Sequence, residues 1–193
     1  MIDMNIIETD IPDVKIIEPD VYSDSRGYFM ESWNAAKYEA AGISCRWMQD
    51  NESLSSRGVV RGLHYQLPPY TQAKLVRVIR GRVLDIAVDI RRDSPAFGKY
   101  VAVILDSENH RQLFIPRGFA HGFAVLSDEA LFQYKCDNLY MPAYEGGIAP
   151  DDPELNVDWH IPAADRIMSD KDRKNPFFKV AELFDASEYM CNA

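Results

Sequence analysis

KLVRVIRGRVLDIAVDI, residues 74–90, decides the fold class of this 193-residue chain. Two runs rich in Val, Ile and Leu flank Arg80-Gly81-Arg82, and that composition and spacing predict two β-strands joined as a hairpin. Side chains alternate along a strand, so the second run places Leu84, Ile86, Val88 and Ile90 on one face and Val83, Asp85, Ala87 and Asp89 on the other. Acids line one side of an otherwise apolar strand, and neither Asp85 nor Asp89 receives a role from the pattern.

Outward from this segment the same signal repeats. Strands are predicted over residues 100–106, 111–116, 121–127 and 130–136, with turn residues between them. Short strands at regular intervals with few helical patterns indicate a sandwich or barrel. One helix is predicted over residues 32–42, stopped by Gly42, and a short one after Pro176. Beyond residue 140 the chain turns proline-rich and acidic and reads as surface loops. No repeat divides it, so residues 1–193 are read as one all-β domain with short flanking helices.

The composition is that of a folded soluble protein, with 47% apolar and 26% charged residues. A formal charge of −9 disfavours nonspecific nucleic-acid binding, which needs a basic surface. A small anionic ligand then requires a local cluster of Arg and Lys. Cys45, Cys136 and Cys191 are odd in number and widely spaced, which argues against a disulfide framework or a zinc site. The N-terminal residues are acidic where a signal peptide is basic, and no apolar run approaches a membrane span. A cytoplasmic protein without membrane attachment is expected.

Within IPRGFAHGF, Pro116, Gly118 and His121 resemble the second motif of the cupin superfamily, in which a tight turn leads to an inward histidine. A metal-binding cupin brings two further imidazoles from its first motif. RGLHYQ (residues 61–66) offers only His64, so the ligand set is incomplete and no metal is assigned. His110 and His160 fall in turn-like contexts and read as exposed. His64 taken alone, flanked by apolar and aromatic residues, reads as a core histidine.

The ordered set DSRGYFMESW, QDNESLS, GVVRGLHYQ, the segment from Gln72 to Tyr100, RQLFIPRGFAHGF, FQYKCDNLY, EGGI, DDP and SDKD resembles the dTDP-4-dehydrorhamnose 3,5-epimerase family over nearly the whole chain. That resemblance implies a cupin-like jelly roll, a double-stranded β-helix, that forms a homodimer. It also implies epimerisation of a dTDP-linked 4-keto-6-deoxy sugar for dTDP-rhamnose biosynthesis, with no cofactor. His64 matches the family's general base and Asp172 its partner carboxylate. Lys74 matches the lysine beside the C4 oxygen, and Tyr134 the acid on the opposite face. Arg26, Glu31, Gln49, Asn51, Arg61, His121, Glu145 and Lys171 match substrate-binding positions. The types suit the chemistry: a C4 ketone acidifies C3–H and C5–H, so the site needs a base, a stabiliser for the enolate and an acid.

Read from residue type alone, several of these have plainer explanations. Arg26 and Arg61 suit surface ion pairs, Tyr134 alternates with Phe132 as a core residue would, and His121 could simply bond within the barrel. Trp47, Phe114 and Phe119 are read as core. The chain departs from the family after FQYKC, where Asn138-Leu139-Tyr140 has only the second of two adjacent aromatics. That leaves open a related enzyme acting at C3 or C5 alone. A metal-dependent cupin enzyme and a sugar-nucleotide binding module are the other classes considered. Finally, Arg61 and His64 are three apart and would face opposite sides of an ideal strand, so a bulge or strand start is expected at Gly62.

Overall fold

The computed structural model describes residues 4–190. Near the N-terminus β1 (Met4–Glu8) pairs with β2 (Lys15–Pro19), and β3 (Val21–Asp24) with β4 (Gly27–Met30), before α1 (Ala35–Ala40). The body comprises β5 (Gln49–Ser56), β6 (Val60–Gln66), β7 (Lys74–Arg80), β8 (Arg82–Asp89), β9 (Tyr100–Asp106), β10 (Gln112–Ile115), β11 (Phe119–Val125) and β12 (Glu129–Cys136). β13 (Glu145–Gly147), α2 (Asp170–Arg173) and α3 (Ala186–Met190) follow, linked by irregular chain and 3-10 turns. Two antiparallel sheets, ordered β1-β2-β10-β7-β12-β5 and β13-β6-β11-β8-β9, stack as the expected jelly roll.

The face assignment of β8 holds. Leu84, Ile86, Val88 and Ile90 belong to one buried cluster and Val83 and Ala87 to another. The hairpin does not. β7 pairs with β10 and β12, whereas β8 pairs with β9 and β11, so Gly81 carries the chain from one sheet to the other. A single residue cannot close a paired hairpin loop, but at φ +87 it can turn a corner. The corner is closed by the Arg82 N–H donating to Ser127 Oγ at 2.8 Å and the Ser107 N–H donating to Gly81 O at 3.1 Å.

Three apolar layers result. Between the sheets lie Val76, Val78, Val83, Leu105, Phe123 and Phe132, with Phe123 and Phe132 stacked at 4.3 Å. Outside the first sheet, α1 lays Tyr38 over Ile17, Leu75 and Phe114, with Trp47 half-buried beside them. The helix is shorter than the 32–42 span predicted, with Asn34 accepting the Lys37 N–H at 3.2 Å and Gly42 at φ +78 past its end. Outside the second sheet, the segment read as surface loops is irregular but packed. Ile148, Leu155, Trp159, Leu183 and Tyr189 are buried against Leu63 and Ile86, and Trp159 donates its indole N–H to Pro150 O. Acids and prolines set its lack of regular structure, while its spaced apolar residues cover the sheet. After Pro176 the chain makes a 3-10 turn before α3, not one continuous helix. Cys45 and Cys136 are free thiols; Cys191 lies outside the described residues.

β6 carries the irregularity that builds the site. His64 pairs with His121, but Arg61 pairs with Phe123, so two residues of β6, Gly62 and Leu63, oppose Gly122 alone. The bulge expected at Gly62 is present. It reverses the alternation and brings Arg61 and His64 onto the same inner face, while Val60, Leu63 and Tyr65 stay in the outer cluster. Gly62 sits at φ +121, and a Cβ there would lie 2.6 Å from Gly122 Cα and 2.7 Å from His121 O. Gly62→Ala is therefore expected to lower stability by about 1–3 kcal/mol, seen as a lower urea midpoint. Activity should fall with it, because relief of the clash displaces His64.

Candidate active site

The space between the sheets changes character along its length. On β12 the inward residues run from Ala130 and Phe132 to Tyr134 and Cys136, and on β7 from Val78 and Val76 to Lys74. β5 adds Gln49 and Asn51, β6 adds His64 and Gln66, and β13 adds Glu145. One end of the sandwich is thus core, and the other is a polar cleft of about 300 Å³.

His64 Nε2 is 2.6 Å from Asp172 Oδ1. The pair is 108 residues apart in sequence and is brought together by α2, whose N-terminus is capped by Ser169 accepting the Asp172 N–H. Burial opposes charge on Asp172. Bonds from His64, Ser169 and the Gly62 N–H outweigh it and hold the carboxyl below its ordinary range. An ionised Asp172 can only accept, so His64 Nε2 carries the proton and Nδ1 presents its lone pair.

Tyr134 comes from the opposing sheet. Burial pushes its phenol up to about 12, Cys136 adds to the shift, and Arg61 acts against it. Lys74 Nζ lies 6.0 Å from the centre of the Tyr134 ring. Burial lowers the Lys74 pKa, opposed by Cys136, Asp85 and Glu145, and among the described residues no carboxylate reaches ion-pair distance of it. A cation in this position is available to a developing oxyanion.

The predicted binding residues divide into three groups. Gln49, Asn51 and Glu145 line the cleft with His64, Lys74 and Tyr134, and Asp172 stands behind His64. Gln49 donates to Asn51 Oδ1 at 2.8 Å and accepts the Tyr140 N–H at 2.9 Å. Glu145 pairs with Lys171 and accepts the Tyr140 hydroxyl at 2.5 Å, which puts Lys171 at the rim. Arg61 and His121 adjoin the cleft from the inner faces of β6 and β11: Arg61 donates to Ser55 Oγ at 3.1 Å, and His121 is buried behind His64. Arg26 and Glu31 are not brought to it. The Arg26 side chain is 88% exposed, paired with Asp24 at the tip of the β3–β4 ribbon, and Glu31 pairs with Lys37. Nothing in one copy of the chain turns that ribbon toward the cleft.

Sequence reasoning missed two features. Tyr140, noted only as the one aromatic retained after FQYKC, lines the cleft and bonds Glu145. Asp85, left without a role, bonds His121. Of the remaining histidines, His160 is exposed as expected, but His110 is half-buried against Tyr28, with ring centres 4.6 Å apart. Among the described residues no three His, Cys, Asp or Glu side chains stand together as metal ligands.

The family profile for dTDP-4-dehydrorhamnose 3,5-epimerase matches residues 8–180. The chain belongs to the dTDP-4-dehydrorhamnose 3,5-epimerase family. It is 54% identical over 182 residues to the dTDP-4-dehydrorhamnose 3,5-epimerase of Shigella flexneri, covering 94% of this chain and 99% of that one. Its structure is similar to the dTDP-6-deoxy-D-glucose-3,5-epimerase of Legionella pneumophila Philadelphia 1 in complex with dTDP-4-keto-L-rhamnose, with a TM-score of 0.91, 49% identity, and coverage of 94% of this chain and 98% of that one. It is also similar to a 3'-monoepimerase from Streptomyces bikiniensis in complex with dTDP-quinovose, with a TM-score of 0.82, 33% identity, and coverage of 89% and 87%.

Proposed function

We propose that the protein epimerises dTDP-4-dehydro-6-deoxy-D-glucose at C3 and C5, giving dTDP-4-dehydro-L-rhamnose for dTDP-L-rhamnose biosynthesis. The observation that carries this reading is the His64–Asp172 pair on one wall of a cleft whose other wall holds Lys74 and Tyr134. His64 Nδ1 takes the proton from the carbon next to the C4 ketone, and the C–H electrons move onto the C4 oxygen. Asp172 holds the imidazolium that forms. Lys74 stabilises the enolate oxygen, and Tyr134 returns a proton to the carbon from the opposite face. Exchange with solvent then restores His64 and Tyr134. The sequence of steps moves protons only, and no electrons leave the substrate, so it requires no redox cofactor.

Arg61, Gln49, Asn51, Glu145 and Lys171 are assigned to substrate binding, the guanidinium suiting a pyrophosphate. Arg26 and Glu31 are assigned to it through a homodimer. The β3–β4 ribbon that carries Arg26 exposes Tyr22, Tyr28 and Phe29, the last 70% exposed, and a second copy covering it would carry both residues to a cleft. Free thiols at Cys45 and Cys136 suit a cytoplasmic location. Among the described residues no helix is long and apolar enough to cross a membrane.

The test is proton exchange. In heavy water with dTDP-4-keto-6-deoxy-D-glucose, the sugar C3–H and C5–H signals are expected to disappear together with appearance of the L-configured product. Leu139 stands where the family often has an aromatic beside Tyr140, which favours, as a second reading, action at one centre. Exchange confined to C3 or to C5 would select it. No exchange at either carbon would remove the epimerase reading.

A further inference from the structure

Asp85 is fully buried on the inner face of β8, between Val83 and Ala87, where the sandwich passes from core to cleft. Its two carboxylate oxygens lie 3.1 and 3.0 Å from His121 Nε2. His121 is the register partner of His64, and its ring stacks on Phe132 at 6.1 Å. A buried carboxylate costs far more to desolvate than a neutral amide that could hold the same ring nitrogen. A purely structural bond to His121 gives no reason for a charge here. The cleft does. Lys74 from β7 and His64 from β6 both act on this pair through their charge, and Glu145 from β13 and Cys136 and Tyr134 from β12 stand around Lys74. Burial pushes Asp85 up, but His121 and Lys74 both act to keep it charged.

We propose that Asp85 is a positioning residue for the epimerisation: it fixes the ring of His121 behind His64 and is the buried negative charge set against Lys74. The inference rests on the epimerase reading above. With an ionised Asp85 accepting from Nε2–H, His121 is held as one tautomer, its Nδ1 free to accept. Burial pulls the Lys74 pKa down, and the counter-charge of Asp85 opposes that loss.

The test compares wild type with Asp85→Asn, which keeps the shape and removes the charge. kcat is expected to fall about 10–100-fold with KM within about threefold, as for a displaced catalytic group. The alkaline limb of kcat should also move to lower pH. Activity that needs charged Lys74 is lost as pH rises through the lysine's pKa, and removal of Asp85 lowers that pKa further. An unchanged kcat, or a loss of stability with the alkaline limb unmoved, would overturn the proposal. Wild-type protein labelled with nitrogen-15 supplies a readout independent of the variant's folding. Neutral His121 protonated at Nε2 is expected, and protonation at Nδ1 would overturn the proposal. That measurement needs no substrate, so it separates failure of this inference from failure of the epimerase reading, which shows as a wild-type protein that exchanges no sugar proton.

Discussion

Replacement of His64 by asparagine should lower turnover by about 10²–10⁴-fold, the range for loss of a general base, and should stop solvent exchange at the sugar's C3 and C5. Because Gly62 and Leu63 together oppose Gly122, the imidazole faces the cleft and not the outer cluster. Because Asp172 is held ionised and accepts from Nε2, Nδ1 is the nitrogen left to take a proton. Asparagine has no basic lone pair, so deprotonation fails even if the substrate sits as before. Asp172 keeps bonds from Ser169 and the Gly62 N–H, so the variant should fold, which thermal melting checks. Binding of dTDP, measured by calorimetry, should stay close to wild type, since Arg61, Gln49 and Asn51 are untouched. Exchange at the wild-type rate in this variant would mean that another group removes the proton.

Much of the fold was legible from residues 74–90, and the reasons are local. β8 is buried on both faces, so its alternation sorts residues between two cores, and that sorting survives in the structure. The wrong hairpin was an error of partner, not of strand. A run–Gly–run pattern fixes where a chain turns but not whether its two arms bond to each other, and here both are already bonded to other strands. The covering segment after residue 147 was illegible for another reason. Its burial depends on side chains such as Trp159 and Tyr189 meeting a sheet formed elsewhere, and no periodicity records that.

The site divides the same way. The three-residue offset between Arg61 and His64, with a glycine between, was enough to expect a bulge. The His64–Asp172 pairing was visible only through family resemblance, because 108 residues separate the two. Asp85 was visible as an acid on an apolar face, but its partner lies on a different strand. Arg26 and Glu31 show the limit most directly: their residue types suit the ligand, yet one chain pairs them with Asp24 and Lys37 at and just beyond an exposed ribbon, so the role proposed for them rests on the proposed homodimer.

Tyr134→Phe should separate proton removal from inversion. His64 is on a strand of one sheet and Tyr134 on a strand of the other, both on inner faces, so a sugar between them meets a base on one side and a hydroxyl on the other. Phenylalanine keeps the ring that packs 6.0 Å from Phe132 and removes only the hydroxyl. The variant should still form the enolate at His64, and the enolate can regain a proton only from the face it was lost on. Deuterium is then expected to enter C3 or C5 with the starting configuration retained, while inverted product falls by about 10²–10⁴-fold. With its phenol pushed up to about 12, Tyr134 is protonated throughout the neutral range, so the acid is always loaded. The same burial makes the phenolate costly after donation, which favours rapid reprotonation at the cleft mouth. NMR of the sugar in heavy water reads both quantities in one sample. Inverted product at the wild-type rate would show that another acid serves the opposite face. Loss of exchange together with inversion would instead place Tyr134 in the proton-removal step.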